Sequence, residues 1–231
     1  NELHAEAGCE VLCHPLSENG IRTFEGMVDY YGVQCHRLFD EWRHLVVQFL
    51  PHTVQRYEVT GHFANGRPIS CGETEILPIH TPGHTIDHTV FGINGTDIIF
   101  LVDIDLTRFG PWYGNRVSDI DAFKNSIDRI IELEPNMGVS GHLLDPVTEG
   151  LHERLIQYRQ VFDERQNRVL QYISEGLDTI EKLASVPVIY PRIPLPAYLV
   201  FEEMMLEKHV RALERDGLVL VENGRIRLLR G

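Results

Sequence analysis

Two imidazoles and one carboxylate, each at the end of an apolar run, carry the chemistry of this chain. The first run reaches His80-Thr81-Pro82-Gly83-His84-Thr85-Ile86-Asp87-His88, the second is Phe100-Leu101-Val102-Asp103, and the third is Val139-Ser140-Gly141-His142. A ligand at a strand tip is held rigidly by the sheet while its side chain projects into a cleft. Neutral imidazole together with carboxylate suits zinc, and also iron or manganese. A carboxylate such as Asp103 can bridge two divalent ions. Ions about 3.5–4 Å apart share a hydroxide with a pKa near 7 and clamp a developing oxyanion. Two imidazoles and one carboxylate at three such tips are therefore what a site for divalent metal needs. A metal-bound hydroxide there would attack an ester-like or phosphodiester-like bond.

The elements that must position these groups follow from periodicity and turn residues. Asn1 to Ala7 reads as a helix and Cys9 to Cys13 as a short strand. Gly20 to Gly32 is amphipathic or irregular. Arg43 to Phe49 reads as helix or loop, and Gln55 to Thr60 as a strand. Asn65-Gly66 and Asn94-Gly95 read as hairpin turns. Strands are expected at Glu75 to His80, Thr89 to Ile93, Asp97 to Val102 and Met137 to Ser140. Pro82-Gly83 breaks the first of these sharply. Between the last two lies a helix with Ser118 as N-cap, Asp121 close to a capping box, and Ile120, Phe123, Ile127, Ile130 and Ile131 on one face. Strands first, then alternation of strand and helix, imply a layered α/β domain over residues 1–150. From 151 to 231 the order changes to a long helix at Leu151 to Ile173, a short one at Thr179 to Ala184, a proline-rich connector and a helix at Tyr198 to Arg215. A hairpin turning at Asn223-Gly224 follows. Helix, helix, helix, hairpin is the order of a winged-helix module.

These motifs carry a resemblance. The run His80 to Thr85 resembles the third metal motif of the metallo-β-lactamase superfamily. Phe100-Leu101-Val102-Asp103 is similar to its fourth, usually Phe-Ser-Gly-Asp, with Leu101 and Val102 replacing Ser and Gly. Ser140-Gly141-His142 resembles its fifth. The resemblance covers roughly residues 9–150. It implies the αβ/βα sandwich of that superfamily, here N-terminally incomplete. It also implies that His84 ligates the first ion, Asp103 bridges and His142 ligates the second, while His80 fills a motif position that is not a ligand. The superfamily's first metal motif, His-x-His-x-Asp-His, is absent. His4-Ala5-Glu6-Ala7-Gly8 is a decayed version, or the motif lies ahead of Asn1 and Asn1 to Ala7 is the helix that follows it. The winged-helix order behind such a domain resembles the hydrolases of the β-lactamase-like protein 2 type.

Other groups have plainer readings beside the functional ones. His88 is a substrate donor, a partner orienting a ligand, or a half-buried strand cap. Asp87 and Asp105 read as turn formers before metal-site carboxylates. Trp112 and Tyr113, just beyond Asp103, are candidates for a substrate wall. Cys9 and Cys13 read as core thiols. Arg165 and Arg168 read as a solvated helix face. The four cysteines include no C-x-x-C pair, so reduced thiols in a cytoplasmic protein are expected.

The net charge of −13 lies entirely in the first part. Residues 1–150 hold 9 basic and 22 acidic side chains, and residues 151–231 hold 12 of each. That field repels nucleic acid and anionic membrane. No run of about 18 apolar residues occurs. The expected partner is a small-molecule substrate. The C-terminal module is the remaining candidate for nucleic acid, through Arg225, Arg227 and Arg230, against the simpler reading that it packs on the catalytic part and shapes the pocket or a homodimer. An inactive relative serving as an interaction or nucleic-acid-binding protein is the alternative to an enzyme.

Overall fold

Strand-forming residues and a single crossover build the sheet that positions the motifs. The structure, a computed structural model, describes residues 1–229. Strands β3 (Ile69–Cys71), β4 (Thr74–His80), β5 (Thr89–Ile93), β6 (Ile98–Val102) and β7 (Met137–Ser140) form one sheet in that spatial order. The pairs are antiparallel up to β6, and β7 runs parallel to β6. A parallel neighbour needs a crossover, which α5 (Ile120–Glu132) supplies. His84 and His88 lie in the turn from β4 to β5, Asp103 follows β6, and His142 follows β7.

Alternation along the strands decides which face is covered. Ile79, Val90, Ile99 and Leu101 share one core with Phe123, Ile127 and Ile130 of α5 and with Leu151 and Leu155 of α6 (Leu151–Ser174). Ile98 and Phe100, on the alternate face, remain 36% and 37% exposed. The same core continues through Val169 and Ile173 of α6, Leu183 of α7 (Ile180–Leu183) and Met205, Leu206, Val210 and Leu213 of α8 (Tyr198–Arg215). It reaches Val219 and Ile226 of the hairpin β8 (Val219–Glu222) and β9 (Arg225–Leu228). A smaller cluster of Val33, Trp42, Val46 and Val200 lies beneath α3 (Phe24–Tyr31) and α4 (Phe39–Phe49). The first residues form α1 (Glu2–Ala7), and α2 (Glu18–Arg22) precedes α3.

Several local expectations need correction. Asn65-Gly66 does not join a hairpin. The two-residue strand before it, β2 (Gly61–His62), pairs in parallel with β1 (Leu12–Cys13), whereas β3 pairs with β4. The turn of that hairpin is Gly72-Glu73, between partners Cys71 and Thr74. Gln55 to Thr60 forms no strand. It makes isolated bonds, from Tyr57 N to Arg22 O and from Thr60 N to Val11 O. The N-cap of α5 is Asp119, whose Oδ1 accepts from Ala122 N at 2.7 Å. Cys13 is buried, but Cys9 is exposed, and all four cysteines are free thiols. Arg230 lies outside the described residues.

Arg165 is the largest departure, for it is 3% exposed rather than solvated. It follows Leu151, Leu155, Tyr158 and Phe162 at helical spacing and so shares their buried stripe. Its guanidinium donates to Phe109 O at 2.6 Å and to Pro111 O at 2.5 Å, and reaches Tyr113 Oη at 3.3 Å. Tyr113 Oη in turn meets His209 Nε2 at 2.7 Å, and His209 Nδ1 meets Gln166 Oε1 at 2.5 Å. The amide oxygen only accepts, so His209 carries its proton on Nδ1. Nε2 then accepts from the tyrosine, whose oxygen accepts from Arg165. Every member of this buried network is satisfied, as a low-dielectric interior requires.

Burial, reinforced by the Arg165 charge, pushes the His209 imidazole down to about 3. Its unfolded value is about 6.5. Below that pH the unfolded chain binds a proton that the folded one refuses, so stability falls as pH falls. Between pH 7.5 and pH 5, His209 should remove about 2 kcal/mol. Urea unfolding of the parent and of His209→Gln at both pH values checks this. The gap between the two proteins should narrow by about that amount at pH 5.

Candidate metal centre

The turn after β4 is fixed before its imidazoles are placed. Gly83 adopts φ +140°, and a Cβ there would sit 2.2 Å from the Phe123 Cα, so only glycine lets α5 pack this closely. The carbonyls of Pro82, Gly83 and His84 each accept a bond from α5 or its approach. The donors are Ser126 Oγ at 2.7 Å, Asp119 N at 2.9 Å and Ser118 Oγ at 2.7 Å. Asn115 Nδ2 adds a second bond to His84 O at 3.2 Å. Ser118, expected as a helix cap, therefore anchors the residue that carries the site.

The His84 ring is oriented by Trp112, whose carbonyl lies 2.9 Å from Nδ1. A carbonyl only accepts, so Nδ1 holds the proton and Nε2 keeps its lone pair. That Nε2 lies 3.9 Å from Asp103 Oδ2, and His142 Nε2 lies 3.0 Å from Asp103 Oδ1. The three side chains expected from the sequence thus meet, one imidazole at each carboxylate oxygen. Among the described residues, no group of three His, Cys, Asp or Glu side chains stands at the mutual spacing of a complete metal site. Burial pushes the His84 imidazole below its ordinary value. Burial alone would raise the Asp103 carboxyl, but His84 and the His142 hydrogen bond outweigh it and hold it below the usual carboxylate range. A carboxylate between two imidazoles is a donor set that zinc, iron or manganese fits.

His88 is buried, and both its ring nitrogens meet main-chain groups. Its Nδ1 lies 3.0 Å from Thr81 O, while Asp103 N donates to Nε2 at 3.2 Å. One neutral tautomer satisfies both contacts and pins the Asp103 backbone. Burial, then the His84 charge, lowers this ring to about 4. Ser140 Oγ accepts from His142 N at 3.0 Å and donates to Asp105 O at 2.7 Å, tying the third motif to the loop after the second. Asp105 Oδ1 accepts from Thr107 N at 2.9 Å, as a turn former does. Asp87 accepts from Tyr30 Oη of α3.

His80 does not join the centre. It stacks on His14 with ring centroids 4.5 Å apart, and its Nε2 meets Ile86 O at 2.8 Å. Tyr113 is not a substrate wall either, because it is fully buried in the Arg165 network. Trp112 packs behind His84, with ring centroids 5.4 Å apart. A cavity of about 620 Å³ opens beside His84 and Asp103 and is lined by Met27, Tyr30, Tyr31 and Phe91. Tyr30 and Tyr31 come from a stretch that the sequence marked only as amphipathic or irregular.

Val102 is unusual. It adopts φ +53°, a region costly for a β-branched side chain, at the β6–β7 irregularity just before Asp103. The motif that Phe100 to Asp103 resembles usually has glycine at this position, a residue that takes the left-handed region without strain. In this conformation Val102 ends β6, Asp103 follows the strand, and Val102 O still accepts from Gly141 N at 2.9 Å.

No protein-family model matches the chain. It is 28% identical over 169 residues to the Beta-lactamase-like protein 2 homolog of Drosophila melanogaster, across 68% of this chain and 52% of that protein. The chain thus spans about half the length of that curated relative. A metallo-beta-lactamase family protein from Thermus thermophilus superposes with a TM-score of 0.70 at 17% identity, over 96% of this chain and 72% of the other. A Beta-lactamase domain protein from Burkholderia ambifaria superposes with a TM-score of 0.64 at 18% identity, over 87% and 60%. The chain has the metallo-β-lactamase fold.

Replacing Val102 by glycine removes a strain of about 1–2 kcal/mol and adds about 0.5–1 kcal/mol of unfolded-chain entropy. Val102→Gly should therefore leave the unfolding free energy within about 1 kcal/mol of the parent. Val90→Gly, in a regular buried strand, should cost at least about 2 kcal/mol more than Val102→Gly. Equal losses in denaturant titrations would show that Val102 is unstrained.

Proposed function

We propose that this chain is a metal-dependent hydrolase acting on an ester, thioester, lactone or phosphodiester. The observation that carries the reading is the meeting of His84, Asp103 and His142 at one carboxylate, from three separate strand ends. Asp103 and His142 would hold one divalent ion and His84 with Asp103 the other, zinc first among the candidates. Such ions supply Lewis acidity and positive charge for a developing oxyanion.

The chain's own groups prepare that chemistry. The Trp112 carbonyl keeps the His84 Nε2 lone pair free, and the His88 ring fixes the peptide of Asp103. The lowered carboxyl of Asp103 keeps it anionic through the neutral range. His142, with a side chain 54% exposed, stands at the solvent side, whereas His84 at 16% stands at the inner side. A substrate would enter past His142 and rest its apolar part against Tyr30, Tyr31 and Phe91. These walls favour a substrate with an apolar portion.

The incomplete three-donor set favours a second reading, a binding protein without turnover. Nucleic acid is a weak choice of partner for it. Arg225 pairs with Asp178 at 2.5 Å and Arg227 pairs with Glu222, so neither hairpin arginine offers an unpaired charge. No helix among the described residues is long and apolar enough to cross a membrane.

Zinc, iron and manganese uptake by the chain, measured by equilibrium dialysis, tests the metal. Loss of a ligand costs more than loss of the groups around it, which is about 10–100-fold in affinity. Asp103→Asn should accordingly weaken zinc by more than about a hundredfold. Turnover of thioester, lactone and phosphodiester panels then separates enzyme from binder. No uptake of any of the three metals would defeat the hydrolase reading.

A further inference from the structure

We propose that the C-terminal helices are a clamp that sets the orientation of His84, with Arg165 as its principal positioning residue. The inference rests on reading His84 as a metal ligand, but the geometry behind it does not depend on metal. His84 is oriented by one backbone carbonyl, that of Trp112, in the loop between Asp103 and α5. Such a loop has no sheet or helix of its own to hold that carbonyl. Two arms from the C-terminal helices hold it instead.

The first arm is Arg165. Its two terminal nitrogens reach Phe109 O and Pro111 O, the carbonyls on the near side of Trp112, and its plane lies over the rings of Phe109 and Tyr113, at 4.9 and 5.6 Å from their centroids. A planar fork that takes two carbonyls at once fixes the path of the chain between them. His209 of α8 and Gln166 of α6 lock the tyrosine end of the same network. The second arm is Tyr190, in the proline-rich connector. Its hydroxyl accepts from Trp112 Nε1 at 3.1 Å. Its own backbone N–H, and that of Ile189, donate to the buried Glu202 carboxylate of α8 at 2.9 and 3.0 Å. Residue 112 is thus gripped through its neighbours' carbonyls on one side and its indole on the other. A third contact reaches His84 from behind, because Lys208 Nζ donates to Ser118 O at 2.8 Å and Ser118 Oγ donates to His84 O.

A buried arginine on two carbonyls could be a packing device and nothing more. The distinction is whether its loss changes the His84 ring in particular. Nitrogen-detected NMR of the histidine side chains in metal-free protein reads the tautomer directly, with His84 assigned by the signal lost in His84→Gln. The parent should show His84 with its proton on Nδ1 alone. Arg165→Lys, which reaches one carbonyl but not both, and Arg165→Met should add a resolvable population protonated on Nε2. His88 serves as the internal control. Its tautomer is set by Thr81 and Asp103, outside the clamp, and should stay as in the parent. Tyr190→Phe, a milder change, should shift the His84 populations in the same direction, and it decides the matter should the Arg165 variants fail to fold. Zinc affinity should fall about tenfold or more in each folded Arg165 variant. An unchanged His84 tautomer in Arg165→Lys and Tyr190→Phe would overturn the clamp, as would equal changes at His84 and His88. Absence of zinc binding in the parent would overturn the metal reading alone, because the tautomer is read without metal.

Discussion

A buried imidazole can offer a lone pair in one direction only if something fixes the proton on its other nitrogen. For His84 that something is the Trp112 carbonyl, 2.9 Å from Nδ1. An unfixed ring would sample both tautomers and rotate, and Asp103 would face a donor half the time. The rest of the architecture can be read as support for that one hydrogen bond. Gly83 brings the turn against α5, Ser118 and Asn115 hold the His84 carbonyl, and the C-terminal helices hold the loop. Asp103 receives matching care from His88. Both chief groups of the site are therefore held by main chain as much as by side chain.

The strands and the site were largely legible because their signals are local. Apolar runs closed by Pro82-Gly83, Asn94-Gly95 and Gly141 mark β4, β5, β6 and β7 to within a residue. The metal-type residues fall at the ends of those runs, and His84 and His142 both stand beside the Asp103 carboxylate, short of the spacing of a complete metal site among the described residues. What was illegible depends on contacts far along the chain. Ser118 has the type and position of a cap, yet its hydroxyl bonds 34 residues back. Asn65-Gly66 has hairpin chemistry, but its flanking strands pair with β1 and β4 rather than with each other. His80 carries a metal-type side chain, but His14 stacks on it.

Arg165 is a different kind of miss, because a signal was present. The positions 151, 155, 158, 162, 165 and 169 form an apolar stripe on α6, and the arginine sits in the middle of it. A charge on the buried stripe of a helix has to be matched by several acceptors. Residue type suggested a solvated face, while periodicity placed the side chain inside. Where the two conflict, periodicity reflects packing forces that a single residue cannot reverse, and the charge marks a place where the interior must be polar. Here that polar interior is the underside of the loop behind His84.

The hydrophobic core runs without a break from the sheet to the terminal hairpin, Ile79 at one end and Ile226 at the other. Element order alone suggests a detachable module after residue 150, but α6 buries its stripe against α5 and α8 together. The last third of the chain is consequently not portable. Severed there, both pieces would present a greasy flank to water, and a recombination event that exchanged the tail for an unrelated one would also discard the scaffold of the imidazole. Drift in the tail is constrained by a hydrogen bond far from it, so substitutions that look neutral on α6 and α8 carry a hidden dependence on the front of the molecule.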